Sequence, residues 1–559
     1  MSDWKRLKAL FIKMPLFEKS ALVFLLTILI AALAHLTYTL FSFTNVNKDE
    51  QTYTEGFIGR VATLNPLYSD FNDVDRDLTE LIFSGLIKYD PVERNFVPDL
   101  AKKWERSKNG LTYVFTLRDD VKWHDGEPLT IDDVIFTYKG VIKNPDFRNP
   151  ILKNTFVGVD VDRTGDNTIT FTLTKPNSYF ISNLTTGIVP QHILTDIPIA
   201  TLDSNQFSTN PIGSGPYNLV SLKRGEDGDI VELHKNESYY DTTSPIENLK
   251  IFVFRTEREL LLKKETLLGL SKLAESAKSI ISNIERFAIN QYTLNQFTAI
   301  YFNTENPLLK EKSIRTALTS AINKEKLLTS DSMRIDTINL ENKKDDPAFA
   351  FDFEKSKNGF KELEFRVDEK NKLVSNKGVP LELTVLALEK TPIHLTDEIK
   401  RQWEELGVKV TIDRQEGPKF ASYLGEGRYD VLLIRQNLGY NRDMYPLIHS
   451  SQIGSSGLNF SRFKSFGTDG LTEAIRKETF PKDKEKLLSQ LSDLIKEEKP
   501  IVFISTPIYT YALDKKIQPF PDASLDFHSD RLTILSGLDF VKSETLAENS
   551  ASGKLSIAN

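Results

Sequence analysis

The sequence predicts an α/β fold built from more than one lobe and preceded by a single membrane-spanning helix. The chain has 559 residues, far more than the roughly 100 to 200 residues of one domain, so two or three lobes are expected. Strand and helix patterns alternate in its second half, and one apolar run, residues 21–43, lies near its beginning. Hydrophobic residues make up 40% of the chain, which is enough for large cores.

The α/β prediction rests on four consecutive patterns in the second half. Residues 381–388 and 408–412 have the apolar composition of strands, and residues 396–406 between them have helical spacing that ends at Gly407. A further strand is predicted over 429–434. A strand, helix, strand order predicts parallel pairing with a right-handed crossover, so this part should form an α/β lobe.

The stretch 101–138 predicts a strand, a tight turn and a helix. Over 111–117 the pattern is mostly period-two: Leu111, Tyr113, Phe115 and Leu117 alternate with Thr112, Val114 and Thr116, which is typical of a half-buried strand. Asp125-Gly126 indicates a turn. Thr130 with Asp133 three residues later predicts a capped helix start.

This stretch resembles the signature of the family 5 solute-binding proteins, the extracytoplasmic receptors of oligopeptide, dipeptide and nickel ABC importers. The matching residues are Ala101, Trp104, Ser107, Gly110, Leu111, Thr112, Tyr113, Phe115, Leu117, Arg118, Val121, Lys122, His124, Asp125, Gly126, Pro128, Leu129, Thr130, Asp133 and Val134. So many fixed positions in one window are far more specific than a lone short motif.

The resemblance implies a class II periplasmic-binding-protein-like fold with two large lobes and an additional subdomain around a cleft. It also implies a monomeric receptor, not an enzyme, that binds peptides non-covalently between the lobes and delivers them to a membrane permease with its ATPase. The predicted organisation is 1–20 cytoplasmic, 21–43 transmembrane, 44–55 linker, 56–94, 211–298 and 500–542 lobe I, 95–210 subdomain II, 299–499 lobe III, and 543–559 disordered tail. Residues 260–287 are predicted to be helical.

Residues 21–43 predict a membrane anchor. At about 1.5 Å rise per residue, 23 residues without a formal charge other than a possible one on His35 span the hydrocarbon layer of about 30 Å. Basic residues precede this run, so the positive-inside rule places the amino terminus in the cytoplasm and the binding domain outside. The alternative is a cleaved signal peptide cut at Ala32-Leu33-Ala34.

Composition argues against several function classes. The net charge is -7 and basic residues are dispersed, so a nucleic-acid partner is not expected. The chain has no cysteine, and its seven histidines are scattered without a metal-binding motif, so neither a metal nor a cofactor is expected. No nucleophile elbow or phosphate-binding loop is present. His124-Asp125 has the residue types of an acid/base dyad, but in the resembled family it belongs to a structural turn.

The main ligand-binding candidates lie in the loop after the strand 429–434, because the ends of strands in α/β sheets expose convergent polar groups. The candidates are Arg435, Gln436, Asn437, Gly439, Tyr440, Asn441 and Asp443. In peptide-binding members of the resembled family the loop carries an aspartate that pairs with the peptide's α-ammonium group; here Gly439 stands at that position. An acid would have to come from elsewhere, such as Asp443 or Asp70, or the ligand would be of another kind.

Further candidates come from other motifs of the resembled family. They are Asn65 and Phe83 in the first loop and helix, Ser214 in the PIGSGPYNL segment, Asn303 at the start of lobe III, and Asn459. For the PIGSGPYNL segment, a hinge or crossover loop is the structural interpretation, in which Gly213 and Gly215 allow positive φ or a close backbone approach.

Three alternatives to a peptide receptor remain open. The same fold can bind another solute, such as a nickel chelate, an oligosaccharide or haem, all of which are ligands of the resembled family. The chain can also be a sensor or chaperone without a transport role. A surface enzyme is the third alternative, although no catalytic constellation supports it.

Overall fold

A computed structural model describes residues 52–541 except 243, 338–345 and 455–456, together with positions 15, 29 and 32. In this part of the chain, no helix is both long and apolar enough to cross a membrane. The predicted membrane span, 21–43, lies outside the described residues apart from Leu29 and Ala32. The predicted tail, 543–559, and most of segments 1–20 and 44–55 also lie outside them.

Strands and helices alternate along the described chain. The strands are β1 (Thr52–Ile58), β2 (Ile87–Asp90), β3 (Asn95–Pro98), β4 (Ala101–Arg106), β5 (Thr112–Leu117), β6 (Val159–Gly165), β7 (Thr168–Leu173), β8 (Tyr217–Gly225), β9 (Gly228–Lys235), β10 (Asn248–Phe254), β11 (Gly269–Leu273), β12 (Phe287–Thr293), β13 (Gln296–Phe302), β14 (Ser332–Arg334), β15 (Arg366–Val367), β16 (Leu373–Val374), β17 (Glu382–Leu388), β18 (Lys409–Gln415), β19 (Val431–Asn437) and β20 (Ile501–Asp514).

The α-helices are mostly short. They are α1 (Asp73–Ile82), α2 (Ile131–Ile135), α3 (Pro150–Thr155), α4 (Gln191–Leu194), α5 (Glu257–Leu262), α6 (Glu275–Ile281), α7 (Lys312–Ser320), α8 (Phe353–Glu362), α9 (Ile393–Glu404), α10 (Gly417–Glu426), α11 (Tyr445–Ile448), α12 (Phe466–Lys477), α13 (Pro481–Glu498) and α14 (Asp530–Ser536). A π-helical segment, Phe136–Ile142, continues α2. Short 3-10 segments lie at Ser69–Phe71, Phe180–Thr185, Ile199–Thr201, Gln206–Ser208, Lys264–Thr266, Lys324–Leu327, Pro347–Phe349 and Ser450–Gln452.

One twelve-stranded mixed sheet runs through the described molecule. Its main path follows the order β18-β17-β19-β13-β20-β11-β1-β10-β9-β8, and β12 and β14 pair with β20 beside this path. A separate four-stranded sheet, β4-β5-β7-β6, belongs to the predicted subdomain II. The sheet and its helices confirm the α/β fold class.

The predicted parallel strands of the second half are confirmed. β17 pairs in parallel with both β18 and β19, and α9 makes the crossover between β17 and β18. The turn after α9 contains Gly407 at φ +88°, a left-handed conformation that glycine adopts without steric cost.

The signature stretch also has its predicted structure. β5 buries Tyr113, Phe115 and Leu117 on one face. Thr130 and Asp133 form a capping box at the start of α2. In it, the Asp133 carboxylate accepts a hydrogen bond from Thr130 N at 2.8 Å, and the Thr130 hydroxyl accepts from the backbone of the first helical turn.

The helical prediction for residues 260–287 is wrong. After α5 ends at Leu262 the chain forms β11, which pairs in parallel with β1 and antiparallel with β20, and then the short helix α6. Leucines at close spacing suit both a helix and a short buried strand, so periodicity alone cannot separate them. In the sheet, β11 has a hydrogen-bonded neighbour on each side, and this pairing stabilises the strand conformation.

β20 connects the two halves of the central sheet. Residues 501–505 pair with β13, and residues 508–514 pair with β12. The predicted crossover at Pro211–Leu219 is held by a close backbone approach: a Cβ atom on Gly213 would lie 1.9 Å from the carbonyl oxygen of Ile82. One cluster of buried apolar residues extends from Tyr53 through subdomain II to Leu535, and two others lie within predicted lobe III and β20.

Candidate functional site

A cavity of about 410 Å³ lies where the predicted lobes and subdomain meet. Its wall combines the loop before α1 and α1 itself, segments 151–155 and 182–187 of subdomain II, residues 437–447 with Leu458, and Phe527. This volume lies within the range of about 300 to 1,000 Å³ that is usual for small-molecule sites. The cavity is therefore the best-placed candidate for a ligand site between the lobes.

Helix α1 presents one face to the cavity. Asn72 caps the helix by accepting a hydrogen bond from Val74 N and donates to the carbonyl oxygen of Arg60 at 2.7 Å. The cavity-facing residues recur at spacings of three and four, which places them on one side of a helix: Arg76, Thr79, Glu80 and Phe83. The opposite face is buried in the core through Val74, Leu78, Leu81 and Ile82.

Residues 437–443, the cavity loop, follow directly from β19. Asn295 Nδ2 donates to the carbonyl oxygen of Gly439 at 2.8 Å, and Gly439 N donates to Asn437 Oδ1 at 2.9 Å. Gly439 has φ +53°, and a Cβ atom there would lie 2.1 Å from Cζ of Phe527. The backbone conformation and Phe527 together leave no space for a side chain at this position.

Tyr440 packs against residues from distant parts of the chain. Its ring centroid lies 5.0 Å from that of Tyr89 and 4.7 Å from that of Phe527. Its hydroxyl donates to Asp530 Oδ1 at 2.6 Å, and the neighbouring Arg442 forms an ion pair with Asp526 at 3.1 Å. Burial raises the pKa of Asp530 to about 7, although hydrogen bonds from Phe527 N and Tyr440 oppose this shift.

Arg76 is the central cation of the cavity. Its guanidinium lies 3.8 Å from the ring centroid of Phe527, forms a close ion pair with Asp70, and has Nη1 3.8 Å from Oε1 of Glu80. Burial raises the pKa of Glu80 to about 7; Arg76 opposes this rise, whereas Asp530, Asp99 and Asp70 add to it. Two carboxylates therefore share one guanidinium.

Asp443 is buried and engaged in the protein's own contacts. Its carboxylate pairs with Arg476 Nη2 at 2.6 Å and accepts a hydrogen bond from Tyr445 N at 3.0 Å. The Arg476 guanidinium also lies 3.6 Å from the ring centroid of Tyr445. Asp443 thus fixes the end of the cavity loop on α12.

A second cavity of about 330 Å³ adjoins the first. The two cavities share four wall residues: Glu80, Phe83, Thr185 and Tyr440. Lys88, Asp99 and Asp241 line the second cavity, where the Lys88 ammonium pairs with Asp241 at 2.7 Å. A solute longer than the first cavity can therefore continue past Glu80 into the second.

The structure brings half of the sequence-predicted binding residues to the cavity wall. Asn437, Gly439, Tyr440, Asn441, Asp443 and Phe83 line it. Asp70, considered as a substitute acid, also lines it.

Arg435 and Gln436 do not line this cavity. β19 extends to Asn437, three residues beyond the predicted strand end, so these two side chains still alternate across the sheet. Arg435 lines a different cleft with Lys272 and Tyr509, and Gln436 accepts a hydrogen bond from the hydroxyl of Tyr301.

Three of the other four candidates, all asparagines, donate hydrogen bonds to backbone carbonyl oxygens. Asn65 donates to the carbonyl oxygen of Leu202 at 3.1 Å, and Asn459 donates to three carbonyl oxygens, including that of Phe463 at 2.9 Å. Asn303 is buried, donates to the carbonyl oxygen of Tyr429 at 2.8 Å, and lines a different cleft with Glu305 and Asp430. Ser214 is buried, and its hydroxyl has no hydrogen-bond partner among the described residues.

The His124 and Asp125 side chains face different partners. His124 accepts a hydrogen bond from Gly213 N and contacts the carbonyl oxygen of Gly215, whereas Asp125 lies 2.9 Å from His192. This geometry supports the structural-turn interpretation. Within the described ranges, no group of three or more potential metal ligands is found.

Sequence reasoning missed Arg76, Thr79, Glu80 and Phe527. The first three carry a usable signal, because their spacing marks the polar face of a helix whose apolar face is evident. Phe527 has no local signal, since it reaches the cavity only through the packing of a segment about 84 residues after the end of the cavity loop.

Comparison with known proteins places this geometry in a family. Residues 95–456 match the model of the bacterial extracellular solute-binding proteins, family 5 Middle. The oligopeptide-binding protein AppA of Bacillus subtilis is 24% identical over 489 residues, covering 83% of this chain and 88% of AppA. Heme-binding protein A of Haemophilus influenzae is 22% identical, covering 79% of this chain and 84% of that protein.

Solved structures show the same fold. NikZ from Campylobacter jejuni in complex with Ni(L-His) has a TM-score of 0.69 at 24% identity, covering 88% of this chain and all of NikZ. AppA from B. subtilis in complex with a nonapeptide has a TM-score of 0.68, covering 88% of this chain and 99% of AppA. The periplasmic-binding-protein-like α/β fold is thereby confirmed, and with a family model matching more than half of its length, the chain belongs to the bacterial extracellular solute-binding proteins of family 5.

Proposed function

We propose that the chain is the extracytoplasmic receptor of an ABC importer and binds peptides without covalent chemistry in the cavity between its lobes. The observation that carries this proposal is the 410 Å³ cavity, whose wall combines residues of every predicted lobe and of the cavity loop. A peptide offers backbone N–H and C=O groups along its length, and the cavity offers polar partners such as Asn437, Asn441 and Thr79. The names of relatives, oligopeptide-binding AppA and the dipeptide-binding protein of Escherichia coli, support a peptide ligand.

The remaining parts of the proposal rest on the sequence. Residues 21–43 would anchor the receptor in the membrane as a single span with its amino terminus inside. The predicted lobes I and III would close around the ligand, and the closed form would dock on a permease that works with an ATPase. The receptor itself would act as a monomer, because each chain contains a complete cavity.

A non-peptide solute is the second candidate. Gly439 offers no carboxylate in the cavity loop, and two relatives carry other ligands in their names, Ni(L-His) for NikZ and heme for heme-binding protein A. A metal chelate or a tetrapyrrole would use the same inter-lobe cavity.

A ligand screen on the full-length chain separates the two candidates. Native mass spectrometry and thermal shift would be recorded with a random peptide pool, a sugar panel, Ni²⁺ with excess L-histidine, and hemin. We expect retained peptides and a raised unfolding temperature with the pool alone. Binding of a sugar, the nickel chelate or hemin without any retained peptide would replace the peptide function by the second candidate.

A further inference from the structure

The cavity loop supplies no free acid to the cavity. At Gly439 the backbone has φ +53° and Phe527 occupies the position of any side chain, with 2.1 Å between a Cβ atom and Cζ of the ring. A carboxylate cannot project from this position without displacing Phe527. Any acid that meets a positively charged group of the solute must therefore come from another element.

Two of the three carboxylates on the wall already have strong partners. Asp443 is 3% exposed and holds Arg476 at 2.6 Å. Asp70 forms a close ion pair with Arg76 and accepts a hydrogen bond from Asn149 Nδ2 at 3.4 Å. Because both are committed to cations or donors of the protein, a ligand would have to compete with them.

Glu80 differs from these two acids. Its carboxylate accepts no hydrogen bond from any described residue, and the nearest cation is Arg76, whose Nη1 lies 3.8 Å away. The side chain is 31% exposed to solvent. It belongs to the wall of both adjoining cavities, so a solute that enters either one passes beside it. A half-buried carboxylate that accepts no hydrogen bonds has lost part of its hydration without compensation, which is unfavourable in free energy. A ligand that donates hydrogen bonds to it would provide that compensation.

The charges around Glu80 favour a cation. Among the described residues, Arg76 is the cation within 4 Å of both Asp70 and Glu80, and Asp530 and Asp99 add to the negative potential at Glu80. We propose that Glu80 receives a positively charged amino group of the bound solute, which makes it a specificity-determining residue of this cavity. This assignment rests on the proposed function and names the chemistry that the cavity selects: a solute with a primary ammonium group.

The protonation of Glu80 agrees with this role. Burial raises the pKa of Glu80 to about 7, and an ammonium group beside the carboxylate would lower this pKa again because it favours the ionised form. Arg76 is the nearest facing cation, Lys88 is a second cation on the wall of the adjoining cavity, and Asp70, Asp99, Asp530 and Tyr440 are the facing acidic groups.

The test compares two peptide pools on the full-length chain. Both pools contain the same tripeptides and pentapeptides of uncharged residues; one has free amino termini and the other has acetylated ones. Affinities would be measured by isothermal titration calorimetry for the wild type, for Glu80→Gln, and for Glu485→Gln. Glu485 is an exposed glutamate on α13 outside the cavity and is the matched control.

We expect the wild type and Glu485→Gln to bind the free-amine pool at least about tenfold more tightly than the acetylated pool, since a charge-assisted hydrogen bond is lost on acetylation. Glu80→Gln should lose most of this ratio while keeping its affinity for the acetylated pool and its unfolding temperature. An unchanged ratio in Glu80→Gln, or equal binding of both pools by the wild type, would overturn the role of Glu80 and leave the peptide function standing. Binding of neither pool by the wild type would overturn the peptide function and this assignment together.

Discussion

Gly439 of the cavity loop packs directly against Phe527 of the C-terminal part of the chain. The left-handed backbone at Gly439 and the ring of Phe527 constrain this position in two separate ways. The first constraint concerns the local conformation, and the second concerns packing between remote segments. A pair of glycine substitutions can separate them.

Gly439→Ala should lower the free energy of unfolding by about 1 kcal/mol for its positive φ and by a further 1 to 3 kcal/mol, roughly, for the overlap with Phe527. Gly378→Ala is the matched control, because Gly378 has φ +76° and no atom within 4 Å of a Cβ position. Urea unfolding of both variants gives the comparison. In a double-mutant cycle with Phe527→Ala the overlap should vanish; equal costs at the two glycines would show that Phe527 does not constrain the loop.

Asp530 gives a second prediction at the scale of a residue. Its folded-state pKa of about 7 lies above the ordinary value of 3.8, so the protonated form contributes stability that is complete below about pH 4 and lost as the pH rises through 7. The charged or titratable groups that interact with it include Tyr440, Asp526, Glu80, Arg76 and Tyr89.

The wild type should therefore lose about 2 kcal/mol of its free energy of unfolding between pH 5 and pH 7, relative to Asp530→Asn. Chemical denaturation at several pH values measures this difference. Asp229→Asn is the control: Arg255 holds the pKa of Asp229 below its usual range despite burial, so that variant should show a constant offset over the same interval. A constant offset for Asp530→Asn as well would contradict the prediction.

At the scale of elements, α1 positions three of the polar cavity residues together with Phe83. Its start is fixed by Asn72, whose side chain bonds to Val74 N and to the carbonyl oxygen of Arg60. The helix has only ten residues, so the cap at its start contributes a noticeable part of its stability. Because Glu80 lies on the same helix, the cap also helps to hold Glu80 in position.

Asn72→Ala should cost about 1 kcal/mol of unfolding free energy and weaken the binding of the peptide pool. Asp352→Ala removes a comparable cap from α8, a helix of the same length that does not line the cavity. It should cost a similar amount of stability without changing affinity. Denaturation and calorimetry on both variants provide the measurement, and equal affinity losses would refute a positional role for the α1 cap.

At the scale of the whole molecule, the cavity loop and the C-terminal part connect the predicted lobes III and I. Tyr440 donates to Asp530, and the next residue in sequence after it, Arg531, is buried between Glu55 and Asp77, each 2.9 Å away. Tyr440 therefore contacts the same short segment, 530–531, that pairs with Glu55 of β1 and Asp77 of α1. β20 provides the covalent path between the same two regions.

Tyr440→Phe should weaken this contact by about 1 to 2 kcal/mol and shift the empty protein towards a more open arrangement of lobes. Because the chain has no cysteine, a fluorophore pair can be placed at Asp227→Cys and Lys370→Cys, which lie on exposed hairpins of the two lobes. Single-molecule energy transfer should report a longer mean distance in Tyr440→Phe. Tyr423→Phe, within lobe III, is the control; identical distances in all three proteins would mean that Tyr440 does not hold the lobes together.

The sequence by itself determined the α/β class, the strand, turn and helix of residues 112–135, the parallel arrangement of β17, β18 and β19, and the family. These features depend on local periodicity, caps and turns, which neighbouring residues specify. The loop after β19 was also found in this way, because the end of a strand is visible in a sequence.

Only the tertiary structure decided which side chains form the cavity. β11 is a strand because it pairs with β1 on one side and with β20 on the other. Arg435 and Gln436 do not line the cavity because β19 continues three residues beyond the end of its apolar pattern. Phe527 enters the site through contacts between segments far apart in sequence, and such contacts leave no local periodicity to detect. The helical spacing of α1 marks its polar face, including Glu80, but only the folded chain places that face on the cavity wall. The physical reason is that the pairing of a strand and the burial of a helix face depend on neighbouring segments. Those segments are distant in sequence and come together only in the folded chain.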